Sequence, residues 1–305
     1  MEQGSSVADT QKEPAVVPVP ARPWRPLAPL QHFWQQQFAR PLRRVDQESK
    51  RFLASKASAE ADRKVMIVLV TVAVTLTIQR FLPVGYVLAR GLEFLAKLGG
   101  GSVLMPLSVR IDEANQTPIG RLLFWCLACI LTYFIIPSLV IRGLLRERLS
   151  DYGLKLRGAF AGFWIYGFLL AVMLPLVFLA SADQHFQLMY PFYPVPSGEA
   201  LWPNFWCWEI MYAFQFFALE FFFRGFIVHG TKHRFGVYAV FVMIVPYCMI
   251  HFQKPVQEAF ASILAGVILG LMSLKTRSIW MGAVLHVSVA LSMDFSALLR
   301  KGFFS

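Results

Sequence analysis

Glu220 and Arg224 stand four residues apart in an otherwise apolar run, Ala218-Leu219-Glu220-Phe221-Phe222-Phe223-Arg224-Gly225. That spacing puts both on one helical face, with the acid nearer the N-terminus, the favourable order for an ion pair. His251 closes a second apolar stretch, Pro246-Tyr247-Cys248-Met249-Ile250-His251, and His286 lies inside a third, Leu285-His286-Val287. Ionisable side chains at membrane depth are costly, so each raises a functional question. The plain reading of Glu220 and Arg224 is a neutralised pair that holds helices together. A single His on an apolar helix is most often a packing residue. Two of them, on separate helices beside an acid–base pair, could support water-mediated amide cleavage. A carboxylate takes a proton from water, one His assists, and a second His donates to the developing oxyanion.

Such residues need membrane helices to carry them, and the composition supplies these. The 305-residue chain is 56% hydrophobic and 15% charged, where a soluble domain usually carries about a quarter charged residues. This argues against an ordinary soluble enzyme, a disordered regulator or a nucleic-acid-binding domain. Seven apolar stretches follow one another at about 65–88, 121–141, 159–180, 205–228, 237–252, 258–274 and 279–298. Most approach the roughly 17–25 residues that a spanning helix needs. The expected fold is therefore an all-α, polytopic transmembrane helix bundle of about seven spans. Residues 1–29 hold six prolines and little aliphatic density, the composition of a disordered tail. Residues 30–64 mix Phe33, Trp34, Phe38, Leu42, Phe52 and Leu53 with Arg40, Arg43, Arg44, Lys50 and Arg51. They read either as a basic amphipathic segment on the membrane surface or as a solvated helix. Residues 65–305 form the transmembrane domain, in which 89–120 is a mixed connector.

The net charge of +11 reads as topology, not as a nucleic-acid footprint. Residues 142–158 hold Arg142, Arg146, Arg148, Lys155 and Arg157, while 181–204 hold no Lys or Arg. Lys232, Arg234, Lys275 and Arg277 fall on the same side as the first group if the N-terminus is cytoplasmic. Arg90, Lys97, Arg110, Lys254, Arg300 and Lys301 then lie on the other side.

Glu220-xxx-Arg224-Gly225, Tyr247-xxx-His251 and His286, in this order on consecutive membrane helices, resemble the successive motifs of the CAAX protease and bacteriocin-processing (CPBP) family of intramembrane glutamic endopeptidases. Lys275-Thr276-Arg277-Ser278-Ile279-Trp280 leads to His286 much as in bacterial members, and Gly266 and Gly270 fit close helix packing in the preceding span. The resemblance covers about residues 205–298. It implies an intramembrane endopeptidase that hydrolyses a peptide bond of a membrane-associated protein or peptide, in a bacterial inner membrane or its equivalent. In that reading Glu220 is the surviving base, Arg224 orients it, and His251 and His286 assist water attack and hold the oxyanion. No cofactor or metal site is read from the sequence.

The chain departs from the family's pattern where the chemistry is concentrated. Members usually have two adjacent Glu before the gap to Arg, and the first is regarded as the water-activating one; here that position is Leu219. Four residues after His286 the family often has Asn, and this chain has Ala290. Tyr247 replaces a commoner Phe. Either Glu220 has taken over proton abstraction, or the protein is a non-catalytic member of the fold that binds or protects a partner. A proton-coupled transporter would predict internal repeats, and none is found.

Substitute carboxylates are poorly placed. Glu209 is about 16 Å along the axis from Glu220, and Asp294 is about two turns beyond His286. Glu258 could fold back toward His251 if Pro255 starts a new helix. His251 itself lies about 20 Å from the cytoplasmic end of its span, deeper than Glu220 and His286 at about 10–12 Å. Cys126 and Cys129 read as packing residues inside a span. His229 and His233, beside Lys232 and Arg234, read as part of a solvated basic loop. H-E-x-x-H, P-loop, G-x-S-x-G and dinucleotide motifs are absent.

Overall fold

A computed structural model of the chain describes residues 28–303 apart from 56, 57, 100 and 197; the expected disordered tail lies outside these residues, except that helix already begins at Ala28. Among the described residues the fold is helical throughout, without a strand. Backbone polar groups at membrane depth must be satisfied within the chain, which is why apolar runs of this length become helices. Six helical runs are long and apolar enough to cross a membrane: Ala59–Phe81, Pro118–Leu144, Phe163–Ala180, Asn204–Met249, Val256–Thr276 and Trp280–Arg300.

Two short N-terminal helices, α1 (Ala28–Trp34) and α2 (Arg40–Ala54), are joined by the π-helical Gln35–Ala39 and precede α3 (Ser58–Phe81). α4 (Val84–Leu98) and α5 (Gly101–Gln116) pack as a hairpin in place of the expected mixed connector. Thr117 caps α6 (Pro118–Ile130), its Oγ1 accepting from the Gly120 N–H at 3.0 Å. The run continues through α7 (Ile136–Leu139), flanked by π-helical turns, to Leu144. Then follow α8 (Phe163–Ala180), the short α9 (Gln184–Met189) and α10 (Asn204–Glu220).

The fourth run holds two of the seven expected stretches. α10 passes into a π-helical segment, Phe221–His229, then α11 (Gly230–Phe235) and a single 3₁₀ turn before α12 (Ala239–Met249). The chain reverses at Gly236, whose φ of 57° and ψ of −130° suit only a residue without a side chain. α12 then lies back against Phe221–His229, with the Tyr247 ring 5.0 Å from that of Phe223. α13 (Val256–Thr276) and α14 (Trp280–Arg300) complete the bundle. α13 fits closely against α12: a Cβ at Gly266 would come within 3.2 Å of the Tyr247 ring, and one at Gly270 within 2.7 Å of Val240. α10 and α14 run antiparallel, with Phe205 against Phe295 at one level and Glu220 against His286 at another.

α2 is not free in solvent. Val45 and Ser49 are buried, Asp46 Oδ1 accepts from the Val237 N–H at 2.8 Å, and Ser49 donates to the His233 carbonyl at 3.0 Å. The helix caps the end of the bundle formed by α11, the Gly236 turn and the C-terminal end of α13.

Candidate active site

Glu220 ends α10 and points at α14. Its Oε1 lies 3.0 Å from Arg224 Nη1 and 2.8 Å from His286 Nδ1. A carboxylate can only accept, so His286 carries its proton on Nδ1 and donates it to Glu220. Its Nε2 has no hydrogen-bond partner among the described residues. The Glu220 side chain is 0% exposed and that of His286 is 17% exposed, so the imidazole, not the carboxylate, is reachable from outside the protein. α14 approaches closely enough because residue 282 is glycine: a Cβ there would lie 3.1 Å from Glu220 Oε2. The Phe216 ring covers His286 at 4.4 Å between centroids.

Arg224 sits one turn beyond Glu220, with its guanidinium 4.0 Å from the centre of the Tyr247 ring. Tyr247 in turn meets the His251 ring at 4.9 Å, and its carbonyl oxygen lies 2.8 Å from His251 Nδ1. A carbonyl also accepts only, so His251 too is protonated on Nδ1. Burial above all pushes the His251 imidazole down to about 4, against the bond to Tyr247, which raises it; the charges of Lys254 and Arg224 act in the same direction as burial. Neutral His251 therefore offers a bare Nε2. Arg224 and His286 each touch Glu220 directly, and His251 joins them through the Tyr247 ring that Arg224 faces. The difference in depth expected for His251 is bridged by Arg224 and Tyr247. In the sequence Tyr247 stands out only as a motif position, and Gly282 and Phe216, which have no chemistry of their own, carry no signal of their place here.

The substitute carboxylates stand elsewhere. Asp294 accepts from the Phe192 N–H at 2.9 Å and from Trp208 Nε1 at 3.3 Å, and Glu209 is its buried neighbour. Glu258 accepts from the Tyr190 hydroxyl at 3.0 Å and faces Lys254 at 3.7 Å, so it does not fold back to His251. Leu219 packs in an apolar cluster with Cys129, Tyr133, Phe222 and Phe223, and Ala290 in another with Cys126, Trp208 and Tyr212. Cys126 and Cys129 are buried and free, as packing residues are.

His229 corrects the expectation of a solvated loop. The helix runs on through Phe221–His229 and α11, so His229 is buried, 3.0 Å from Ser273 Oγ, with Lys232 Nζ donating to its Nδ1 at 3.3 Å. His233 packs against Phe52 of α2 at 4.9 Å. No group of three or more His, Cys, Asp or Glu able to hold a metal occurs among the described residues.

A helical integral membrane protein with Glu, Arg and His brought together between two spans is the class that fold and site define. Residues 201–292 match the family model described as Rce1-like, type II CAAX prenyl endopeptidase, consistent with the CPBP family. The match spans under a third of the chain and contains all four site residues, as well as Leu219 and Ala290. No curated protein and no solved structure matches the chain.

Proposed function

We propose that the protein is an intramembrane endopeptidase that cleaves a peptide bond of a membrane-associated protein or peptide with a water activated by histidine. The carrying observation is Glu220 Oε1 held between Arg224 Nη1 and His286 Nδ1. Glu220 acts through His286: it fixes the tautomer and stabilises the imidazolium, as a buried carboxylate does in a hydrolytic triad. Arg224 holds Glu220 in place. The bare Nε2 atoms of His286 and His251 each accept one hydrogen of the water. His286 Nε2 takes a proton as the water oxygen bonds to the scissile carbonyl carbon. It returns that proton to the departing amine as the C–N bond breaks, so atoms and charge balance. Neutral His251, with its only N–H spent on Tyr247, cannot donate to the oxyanion, and Ala290 supplies no donor. The substrate's carbonyl oxygen must then find its hydrogen bond elsewhere, which predicts a slow enzyme.

Ala290 and Leu219, both in apolar packing, favour a second reading: a non-catalytic member of the fold that binds or protects a membrane partner. The membrane is a bacterial inner membrane or its equivalent, with the N-terminus on the cytoplasmic side.

The two readings separate by cleavage of a panel of membrane-anchored peptides, prenylated C-terminal peptides included, by protein reconstituted in vesicles and followed by mass spectrometry. Glu220→Gln keeps shape and removes the charge, and activity should fall by about 10²–10⁴-fold. A fully active Glu220→Gln variant overturns the assignment of Glu220. An inactive wild type that gains cleavage in Leu219→Glu supports the non-catalytic reading.

A further inference from the structure

α2 has two faces with different obligations. Val45, Ser49, Asp46, Leu42 and Phe52 face the protein, while Arg40, Arg43, Arg44, Lys50 and Arg51 are exposed. Among the described residues no acid pairs with any of these five. Four nearby acids are engaged elsewhere, Glu48 with Arg277, Asp62 with Arg234, Glu147 with Lys64 and Asp46 with the Val237 N–H, and the exposed Glu60 makes no ion pair with any of the five. The basic face is therefore uncompensated and fixed in orientation by the docked one.

α1 sets the level of this face relative to the bilayer. Leu30, Phe33 and Trp34 are exposed, and the Phe33 ring lies 5.5 Å from that of Trp164, in the first turn of the span α8. Phe160, Phe163 and Trp164 are exposed around that helix start, with Lys155 and Arg157 just before it. Aromatic side chains beside Lys and Arg at the end of a span mark the headgroup level. The Arg40-Pro41-Leu42-Arg43-Arg44 run begins α2 after the five π-helical residues Gln35–Ala39, so its cations stand within about two helical turns of that level. A soluble acidic partner would explain the charges but not the exposed Leu30, Phe33 and Trp34, of which Phe33 meets Trp164 of α8 and Trp34 stacks on Phe38.

We propose that α1 and α2 form a membrane-interface arm: its aromatic side chains enter the headgroup layer, and Arg40, Arg43 and Arg44 bind the phosphates of anionic lipids. This does not rest on the protease reading. Each cation near an anionic surface strengthens attraction roughly fivefold, and the effect is screened by salt.

Trp34, 54% exposed, is a built-in reporter. The full-length protein would be reconstituted in vesicles containing chain-brominated phosphatidylglycerol or chain-brominated phosphatidylcholine. Fluorescence of Trp34→Phe is subtracted from that of the parent. Stronger quenching of the Trp34 signal by the anionic lipid, lost when Arg40, Arg43 and Arg44 are all Gln, supports the proposal. Three results overturn it: no quenching by either lipid, equal quenching by both, or an anionic preference that survives the triple substitution. A soluble acidic protein as the true partner would give the first. A cleavage defect of the same variants has no bearing on the readout, so the two proposals fail separately.

Discussion

At the scale of the residue, His251 and His286 owe their tautomers to the same rule: each Nδ1 faces an oxygen that can only accept. The consequence for pH can be worked out for His251. Its ordinary value is 6.5, and in the fold it is pushed down to about 4. Between these values the unfolded chain binds more protons than the folded one, so stability falls as pH drops from about 6.5 towards about 4. Above 6.5 the contribution is complete. His251→Gln retains a donor for the Tyr247 carbonyl without titrating. We expect its thermal midpoint in detergent to fall less over that pH interval than that of the parent, and an unchanged slope would show that another group governs the acid limb. The Glu220–Arg224 pair was legible because a spacing of four residues within one helix is a local property. The partnership of Glu220 with His286, 66 residues away, was expected only through the family resemblance: the residues alone placed both in spans without fixing which helices touch. The offset of His251 is bridged by Arg224 and Tyr247, a solution that depends on the reach of a long side chain and the breadth of a ring.

At the scale of the element, regular periodicity located the spans but missed where helix geometry changes. Phe221–His229 is π-helical, and every residue in it is buried, Arg224 and His229 included. A wider helical turn displaces the apolar stripe that a 3.6-residue period assumes, and such turns recur at functional sites. The amphipathicity of α2 was equally readable, yet an apolar stripe does not say whether lipid or protein covers it; its contacts at Val237 and His233 come from almost 200 residues downstream. The reversal at Gly236 joins both features. A Cβ there would meet the Asp46 carboxylate, and the backbone conformation is one that other residues avoid. Gly236→Ala should therefore cost about 1–3 kcal/mol and loosen α2 together with α12. Thermal unfolding and limited proteolysis between α2 and α3 would measure it, and unaltered stability would mean that the turn relaxes without strain.

At the scale of the whole molecule, the charge count behind the proposed orientation carries a contradiction that tertiary contacts reduce. Six cations fall on the side opposite the basic loops, but most are engaged within the protein. Arg90 pairs with Glu93 and Asp112, Lys97 with Glu93, and Lys254 with Glu258. Lys301 donates to the Tyr190 carbonyl, and Arg300 to Ser181 Oγ and the Phe178 carbonyl. Cations bound in this way report on packing more than on loop charge. The basic residues of 142–158 are different: Arg142, Arg146, Arg148, Lys155 and Arg157 are all exposed, and they lie at the end of the bundle that α2 caps with its own cations. The bias that orients a membrane protein comes from Lys and Arg in short loops near the span ends, and that end holds most of the free ones, Arg110 being exposed and, among the described residues, unpaired on the other side. With the N-terminus in the cytoplasm, Ser150 faces inward and Ala182 outward. In a variant with its four cysteines replaced, a membrane-impermeant maleimide should label Ala182→Cys in intact cells. It should label Ser150→Cys only after the membrane is opened. The reverse pattern would invert the orientation and place the α2 cations on the outer surface, where the anionic-lipid attraction of the cytoplasmic leaflet does not apply.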